Sequence, residues 1–292
     1  MEKQVKIIAG YLVNNSITND VEINQYLENI QTYINQIEKL YIYCLEQVDI
    51  SKFLQRLNKF EHIEIAIVPG YGEAEIYKAL VEKAIEDKID FVTIMKPELF
   101  YENEAFLELK KYVMQADVSR TAVLTPMPLF GCEIHERKAE EFRAIKGCRL
   151  YGALLNTEIY KQTRGIKAEY YQTTYDYDYC LQARHLGYNI MLAQNLALRN
   201  QKYVVITRKF GFLTLSAYSR DIMDVYYETR NRLYLWDEYK KIDPEYISID
   251  KKLFKKEKQE IRTRDKSYKQ KFIMMDRARA DYKKGIIGKF EE

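Results

Sequence analysis

Strand-like and helix-like runs alternate through the first hundred residues, and this alternation restricts the possible folds more than any other feature of the chain. The strand-like runs are Lys6–Leu12, Leu40–Leu45, Ile63–Val68 and Asp90–Met95. Between them lie Glu22–Ile37, Ile50–Phe60 and Glu75–Glu86, where apolar residues recur every three to four positions, as Ile23, Tyr26, Leu27, Ile30, Tyr33 and Ile34 do. Pro69 and Gly70 end the third strand in a turn, and Pro97 stops the fourth. A strand as uniformly apolar as Asp90–Met95 has no face to offer water. The pattern therefore predicts an α/β domain with a mostly parallel central sheet covered on both faces. Ligand chemistry is expected at the carboxyl ends of the strands.

Met114–Arg149 is more broken. Thr121–Leu124 reads as a strand, Pro126 and Pro128 as a loop, and His135–Ala144 as a helix. Arg149–Leu155 reads as a strand containing Gly152, where a backbone or a substrate can approach closely. Thr157 caps a short helix to Gln162, and Asn189–Ala193 is a strand. The body is expected to end near Thr207–Gly211, giving a domain over 1–210 and a helical appendage over 211–292. Within the appendage, Lys251–Phe290 reads as a highly charged helical segment with sparse apolar positions at Phe254, Tyr268, Phe272, Ile273 and Met275.

Tyr170–Tyr188 carries the chemistry. Asp176 and Asp178 open an amphipathic run, Tyr179, Cys180, Ala183 and Leu186, which Gly187 ends. Carboxylates at a helix N-terminus are favoured as anions by its free N–H groups and dipole, which makes a usable general base. The plainer reading is a helix cap surrounded by packing tyrosines.

The 292 residues suffice for one large domain with an appendage. The 26 tyrosines suit sugar-binding grooves, but an A+T-rich genome also enriches Tyr, so none is assigned a role for being Tyr. Cys44, Cys132, Cys148 and Cys180 are too far apart in sequence to form a metal-ligand pair, and His62, His135 and His185 are too scattered for a metal site. The start of the chain runs into a strand without a signal-like apolar region, so the expected location is cytoplasmic. Residues 251–292 hold 15 Lys and Arg against 7 Asp and Glu, a net charge of +8 in a chain whose total is +3. Such a tail suits nucleic acid, the anionic inner leaflet of a membrane, or simply a solvated helical face.

The order of these runs, together with Tyr151-Gly-Ala-Leu-Leu155, Tyr175-Asp-Tyr-Asp-Tyr-Cys-Leu181 and Tyr226-Tyr-Glu-Thr-Arg-Asn-Arg-Leu-Tyr-Leu-Trp236, resembles a family 2 glycosyltransferase of the GT-A fold, in its rhamnosyltransferase-like branch. The aromatic segment with Arg-Asn-Arg is the most specific of these likenesses. The resemblance implies a Rossmann-like nucleotide-sugar-binding domain and an inverting transfer of rhamnose or another hexose to a surface polysaccharide or lipid-linked acceptor. It makes Asp176 the base that deprotonates the acceptor hydroxyl. Asp178 becomes a substrate-binding partner or cap, and Arg230 and Arg232 pair with diphosphate or acceptor anions, or else form surface ion pairs.

The donor side departs from that pattern. The acidic pair that usually follows the fourth strand and holds Mn²⁺ or Mg²⁺ is replaced by Lys96-Pro97-Glu98. Cys44, with Glu46 nearby, stands where an Asp commonly meets the nucleotide base, and Asn200 stands where a late His often completes the metal site. Hard cations need anionic oxygen ligands, so this set would bind a divalent metal poorly, and Mn²⁺ or Mg²⁺ stays open as a cofactor. Two readings stay open. In one, Lys96 and Glu98 line the donor site and Lys96 itself neutralises the diphosphate. In the other, the chain is a transferase-like scaffold that has lost its donor. A nucleic-acid-binding reading explains the tail but not the alternating body, so nucleic acid is not expected as a partner. The expected partners are a nucleotide-sugar, a glycan or lipid-linked acceptor, and an anionic membrane met through the basic tail on the inner face of the cell membrane. A homo-oligomer stays open.

Overall fold

In strand β1 (Ile7–Val13) the side chains of Ile7, Ala9, Tyr11 and Val13 enter one buried cluster, while Ile8 and Leu12 enter a second on the opposite face. This is the period of two that a strand imposes. The computed structural model describes residues 4–44, 48–57, 60, 63–67, 72–131, 133–201, 205–210, 213–218 and 220–291. Glu46, His62, the Pro69-Gly70 turn, Cys132 and Gly211 lie outside the described residues.

β2 (Lys39–Cys44), β3 (Ile63–Ile67) and β4 (Phe91–Met95) flank β1 in the order β3-β2-β1-β4, all parallel, as the alternation predicts. The crossovers carry α1 (Asp20–Gln31), α2 (Ser51–Leu57) and α3 (Glu73–Glu86). The Asn19 side chain caps α1 by accepting from the Glu22 amide at 2.9 Å, and the Glu75 carboxylate returns to the Gly72 amide at 2.9 Å to close the start of α3.

Beyond β4 the sheet is mixed. β5 (Leu99–Tyr101) and α4 (Ala105–Gln115) precede β6 (Thr121–Phe130), β7 (Phe142–Ile145) and β8 (Leu154–Asn156). β8 lies antiparallel between β4 and β6, and β6 pairs in parallel with β9 (Asn189–Asn200), whose other edge takes β7 and β5. Two expectations are corrected here. Pro126 and Pro128 lie inside β6, where the ladder shifts register between Pro126 and Met127 and so tolerates residues without an N–H. The helix expected over His135–Ala144 is absent, and Phe142–Ile145 instead forms β7 on β9.

α5 (Thr157–Tyr160) is capped by Asn156, whose side chain accepts from the Glu158 and Ile159 amides, while the Thr157 hydroxyl donates to the Ile89 carbonyl at 2.5 Å. α6 (Tyr175–His185) ends before Gly187, which has φ +84°. The expected boundary at 210 falls within a hairpin of β10 (Val205–Phe210) and β11 (Leu213–Tyr218). The helices α7 (Ile222–Tyr239), α8 (Pro244–Arg264) and α9 (Tyr268–Lys283) follow. α7 connects them to the body: Leu235 and Tyr239 pack with Leu181 of α6, whereas Val225 packs with Ile261 and Met275. Among the described residues no helix is long and apolar enough to cross a membrane.

Candidate active site

Two neighbouring polar groups make up the candidate site, one at the carboxyl end of β4 and one at the start of α6. The first surrounds Lys96, which directly follows β4. A parallel bridge between Ile94 and Tyr151, and a 2.9 Å bond from the Gly152 amide to the Ile94 carbonyl, hold Tyr151 beside the end of that strand. Lys96 Nζ therefore lies 4.1 Å from the centre of the Tyr151 ring and 2.5 Å from Glu73 Oε1, and the Tyr151 hydroxyl donates to the other Glu73 oxygen. Glu73 stands in the first turn of α3, where the helix dipole favours its charge. Burial works against the ammonium of Lys96, but Glu73 and Glu98 outweigh it and hold the pKa above its ordinary value.

The second group surrounds Asp176. Its carboxylate is fully buried, accepts from the Tyr177 amide at 2.9 Å, and meets Arg149 Nη1 at 3.2 Å. The same guanidinium reaches Glu228 of α7 at 2.6 Å, and Arg220 joins Glu228 at 2.8 Å. Burial raises the Asp176 pKa despite the opposing effects of Arg149 and the Tyr177 amide. A raised carboxyl pKa suits a group that must take up a proton during reaction. Burial also opposes the Glu228 charge, but Arg149, Arg220 and Arg232 outweigh it, and this carboxyl is held low. Asp224, one turn before Glu228, accepts from Gln172 at 2.8 Å. Burial raises its pKa, with Glu228 and Glu73 adding to the effect and Lys96 opposing it, so Asp224 lies electrostatically between the two groups.

The loop that presents Asp176 is strained. Tyr171 has φ +63° and Thr174, the residue before α6, has φ +76°, conformations that cost about 1–3 kcal/mol each in a non-glycine residue. Buried Asn231 of α7 holds this loop by donating to the Tyr170 carbonyl at 2.8 Å and the Thr173 carbonyl at 3.0 Å.

The remaining residues singled out in sequence lie elsewhere. Arg230 is fully buried under the C-terminal segment, donating to the Gly288 carbonyl at 2.6 Å and the Tyr226 hydroxyl at 3.2 Å. In this arrangement Arg230 clamps the C-terminal segment onto α7. Arg232 borders a crevice with Arg149, Thr174, Tyr177 and Glu228, but its guanidinium pairs with Glu257 and lies 3.5 Å from Asp250. Asp178, expected at the substrate, is buried and accepts from Gln182 at 2.6 Å, Lys167 at 3.1 Å and Tyr239 at 3.1 Å. At Gly152 the close neighbour is a side chain: a Cβ there would lie 2.4 Å from Leu198 Cδ2.

Cys44 is buried at the end of β2, where burial raises its thiol pKa. Asn200 pairs with Leu99 across β9 and β5. Glu73, Arg149, Tyr151, Asp224 and Glu228 were missed in the sequence. The available signal was the i,i+4 pair Asp224 and Glu228 ahead of Arg-Asn-Arg, which puts both acids on one helical face. Among the described residues no three His, Cys, Asp or Glu side chains come together to hold a metal ion.

No protein-family model matches the chain, and no curated protein matches its sequence. Solved structures do match. GalNAc-T7 with UDP, GalNAc and Mn²⁺ superposes with a TM-score of 0.51 at 6% identity, over 67% of this chain and 44% of that one. The mannosyltransferase PcManGT from Pyrobaculum calidifontis, in complex with GDP-Man and Mn²⁺, gives 0.52 at 9% identity, over 78% of this chain and 62% of that one. S. aureus TarS 1–349 in complex with UDP-GlcNAc gives 0.51 at 9% identity, over 98% of this chain and 94% of that one. The chain thus spans less than half of the first structure and under two thirds of the second. Together with the parallel sheet and the helices that follow it, these likenesses give the chain the GT-A fold of glycosyltransferases.

Proposed function

We propose that the protein is an inverting glycosyltransferase that moves a hexose, rhamnose being one candidate, from a nucleotide-sugar to a glycan or lipid-linked acceptor at the cytoplasmic face of the membrane. The observation that carries this reading is Asp176, a buried carboxylate with a raised pKa at the start of α6, set in the same polar tract as Lys96 on a GT-A fold. Asp176 takes the acceptor hydroxyl proton as that oxygen attacks the anomeric carbon. The bond from the anomeric carbon to the diphosphate oxygen breaks, and the nucleoside diphosphate leaves with the electron pair. Arg149 covers Asp176 in the present arrangement, so an acceptor must displace it. Glu228, already bonded to the same guanidinium, can keep the arginine as it moves.

Two of the similar structures hold Mn²⁺. The donor set here does not fit that ion, because an ammonium paired with Glu73 occupies the end of β4. Lys96 is instead the group that meets the developing diphosphate charge, as a fixed cation in a partly buried site can. Binding of the donor must then compete with Glu73 for the ammonium.

A transferase-like scaffold is the second reading, and one observation favours it: Lys96 and Asp176 both already have internal partners. Thermal denaturation against a panel of nucleotide-sugars separates the two, because a ligand that binds only the folded state raises its stability. The transferase reading expects at least one donor to raise Tm and to be consumed by the wild-type protein but not by Asp176→Asn. No stabilisation by any donor would leave the scaffold.

A further inference from the structure

The positive charge of the C-terminal region is sorted by direction along α8. Its inward side carries Tyr246, Ile247, Asp250, Phe254 and Ile261, all buried, with Phe254 edge-on to Trp236 at 5.6 Å. The inward acids are neutralised within the protein: Asp250 accepts from Trp236 at 2.6 Å, and Glu257 pairs with Arg232. Glu245, at the start of the helix, pairs with Lys146 at 2.5 Å. The outer side has a different composition. Ile249, Lys252, Leu253 and Lys256 follow the i, i+3, i+4, i+7 spacing that forms one stripe on a helix, and all four are exposed. Ile249 is 40% and Leu253 49% exposed, and Lys256 lies 4.0 Å from Glu260, the next residue along the same row.

We propose that this stripe of α8 is the surface by which the protein docks on an anionic lipid bilayer, with Ile249 and Leu253 entering the headgroup boundary and the lysines meeting lipid phosphates. The proposal rests on the membrane-facing acceptor of the function above and corrects its location. Outside this stripe the exposed large aliphatic side chains of residues 251–291 are Ile273, Ile286 and Ile287, the last two in the turn after α9, and the other apolar positions are covered. Phe254 and Met275 are buried, Tyr268 and Phe272 pack against the cluster of Val225, Ile261 and Met275, and Phe290 packs on Tyr226. At the end of α9, bonds from Tyr234 to the Ile286 carbonyl and from Arg230 to the Gly288 carbonyl tie the chain to α7, so that turn offers no continuous helical face. Charge complementarity selects an anionic surface, and two isolated aliphatic side chains between lysines suit an interface better than a polynucleotide. A polynucleotide would be met by aromatic or arginine stacking groups, and the stripe has none.

The test is flotation of the full-length protein with vesicles of phosphatidylglycerol and phosphatidylcholine, or of phosphatidylcholine alone, at low and high salt. The wild-type protein should bind only the anionic vesicles and lose binding with salt. Lys252→Gln with Lys256→Gln should weaken it about 25-fold, at roughly fivefold per lysine. Ile249→Ser with Leu253→Ser should also release it, whereas Lys283→Gln with Lys284→Gln should not. All these positions are exposed, and unchanged Tm values identify variants that fold. No binding to anionic vesicles at low salt overturns the proposal, as does equal loss from the α9 pair. Binding to RNA that is insensitive to the Ile249 and Leu253 changes also overturns it, in favour of a polynucleotide partner. Donor-induced stabilisation is read separately, so failure here leaves the transferase reading standing.

Discussion

Replacing Gly152 by alanine distinguishes a glycine kept for packing from one kept for a ligand. The new methyl carbon would lie 2.4 Å from Leu198 Cδ2 and 3.1 Å from its Cδ1, and the residue would have to hold φ +67°. The left-handed backbone costs an ordinary residue about 1–2 kcal/mol. Forcing a methyl into a packed site costs roughly 1–3 kcal/mol more. The sum, about 2–5 kcal/mol, corresponds to a fall in Tm of roughly 4–10 °C at about 2 °C per kcal/mol for a chain of this length. The neighbour identifies the cause. In a Leu198→Ala background the obstruction is gone and only the backbone cost remains, so the two substitutions together should be about 1–3 kcal/mol less harmful than their sum. Chemical denaturation of the four proteins measures this coupling. If Gly152→Ala left stability unchanged but abolished donor-induced stabilisation, the glycine would face a ligand and the packing argument would be wrong.

The other expectations concern the charged groups. Asp176→Asn should lower turnover about 10²- to 10⁴-fold with the fold intact, read from initial rates with any donor that binds. Because burial raises the Asp176 pKa, the stability linked to that carboxyl is present at low pH and lost as pH rises through the folded value. The Tm of Asp176→Asn relative to wild type should therefore climb from acid to neutral pH, and a constant difference would contradict the raised pKa. Asp178→Asn should act mainly on stability, since the Asp178 carboxylate serves Lys167, Gln182 and Tyr239, and a larger fall in kcat than for Asp176→Asn would reverse the two assignments. Arg230→Met should cost roughly 1–3 kcal/mol in urea denaturation by leaving the Gly288 carbonyl and the Tyr226 hydroxyl without their donor. Its donor affinity should be unchanged at temperatures where it is folded.

The parallel half of the sheet was legible because buried strands must be apolar on both faces, and β1 to β4 fall within a residue or two of the runs read from sequence. β6 and β7 were not legible. Pro126 and Pro128 read as loop until a register shift accommodates them, and Phe142–Ile145 is only half-buried, so its pattern is weak. Asp176 could be picked out because a carboxylate at a helix start has a local signature. Glu73 shares that signature in the first turn of α3, but Arg149 and Tyr151 have none, since only the tertiary fold brings them to the site. Arg-Asn-Arg stood out as a family likeness, with roles expected for its two arginines, yet the asparagine between them holds the strained loop before Asp176. Local charge identifies a segment as unusual; burial decides which of its residues face solvent, a ligand or the core.

Turnover of a nucleotide-sugar in the presence of excess chelator tests the central claim most directly, measured for the wild-type protein and for Lys96→Gln. With Lys96 as the counter-charge to the leaving diphosphate, wild-type turnover should be unaffected by the chelator. Lys96→Gln should lose about 10²-fold in both kcat and kcat/KM, as removal of a group acting on transition-state charge does. Strict dependence of the wild-type protein on Mn²⁺ or Mg²⁺, with Lys96→Gln retaining full turnover, would contradict the account.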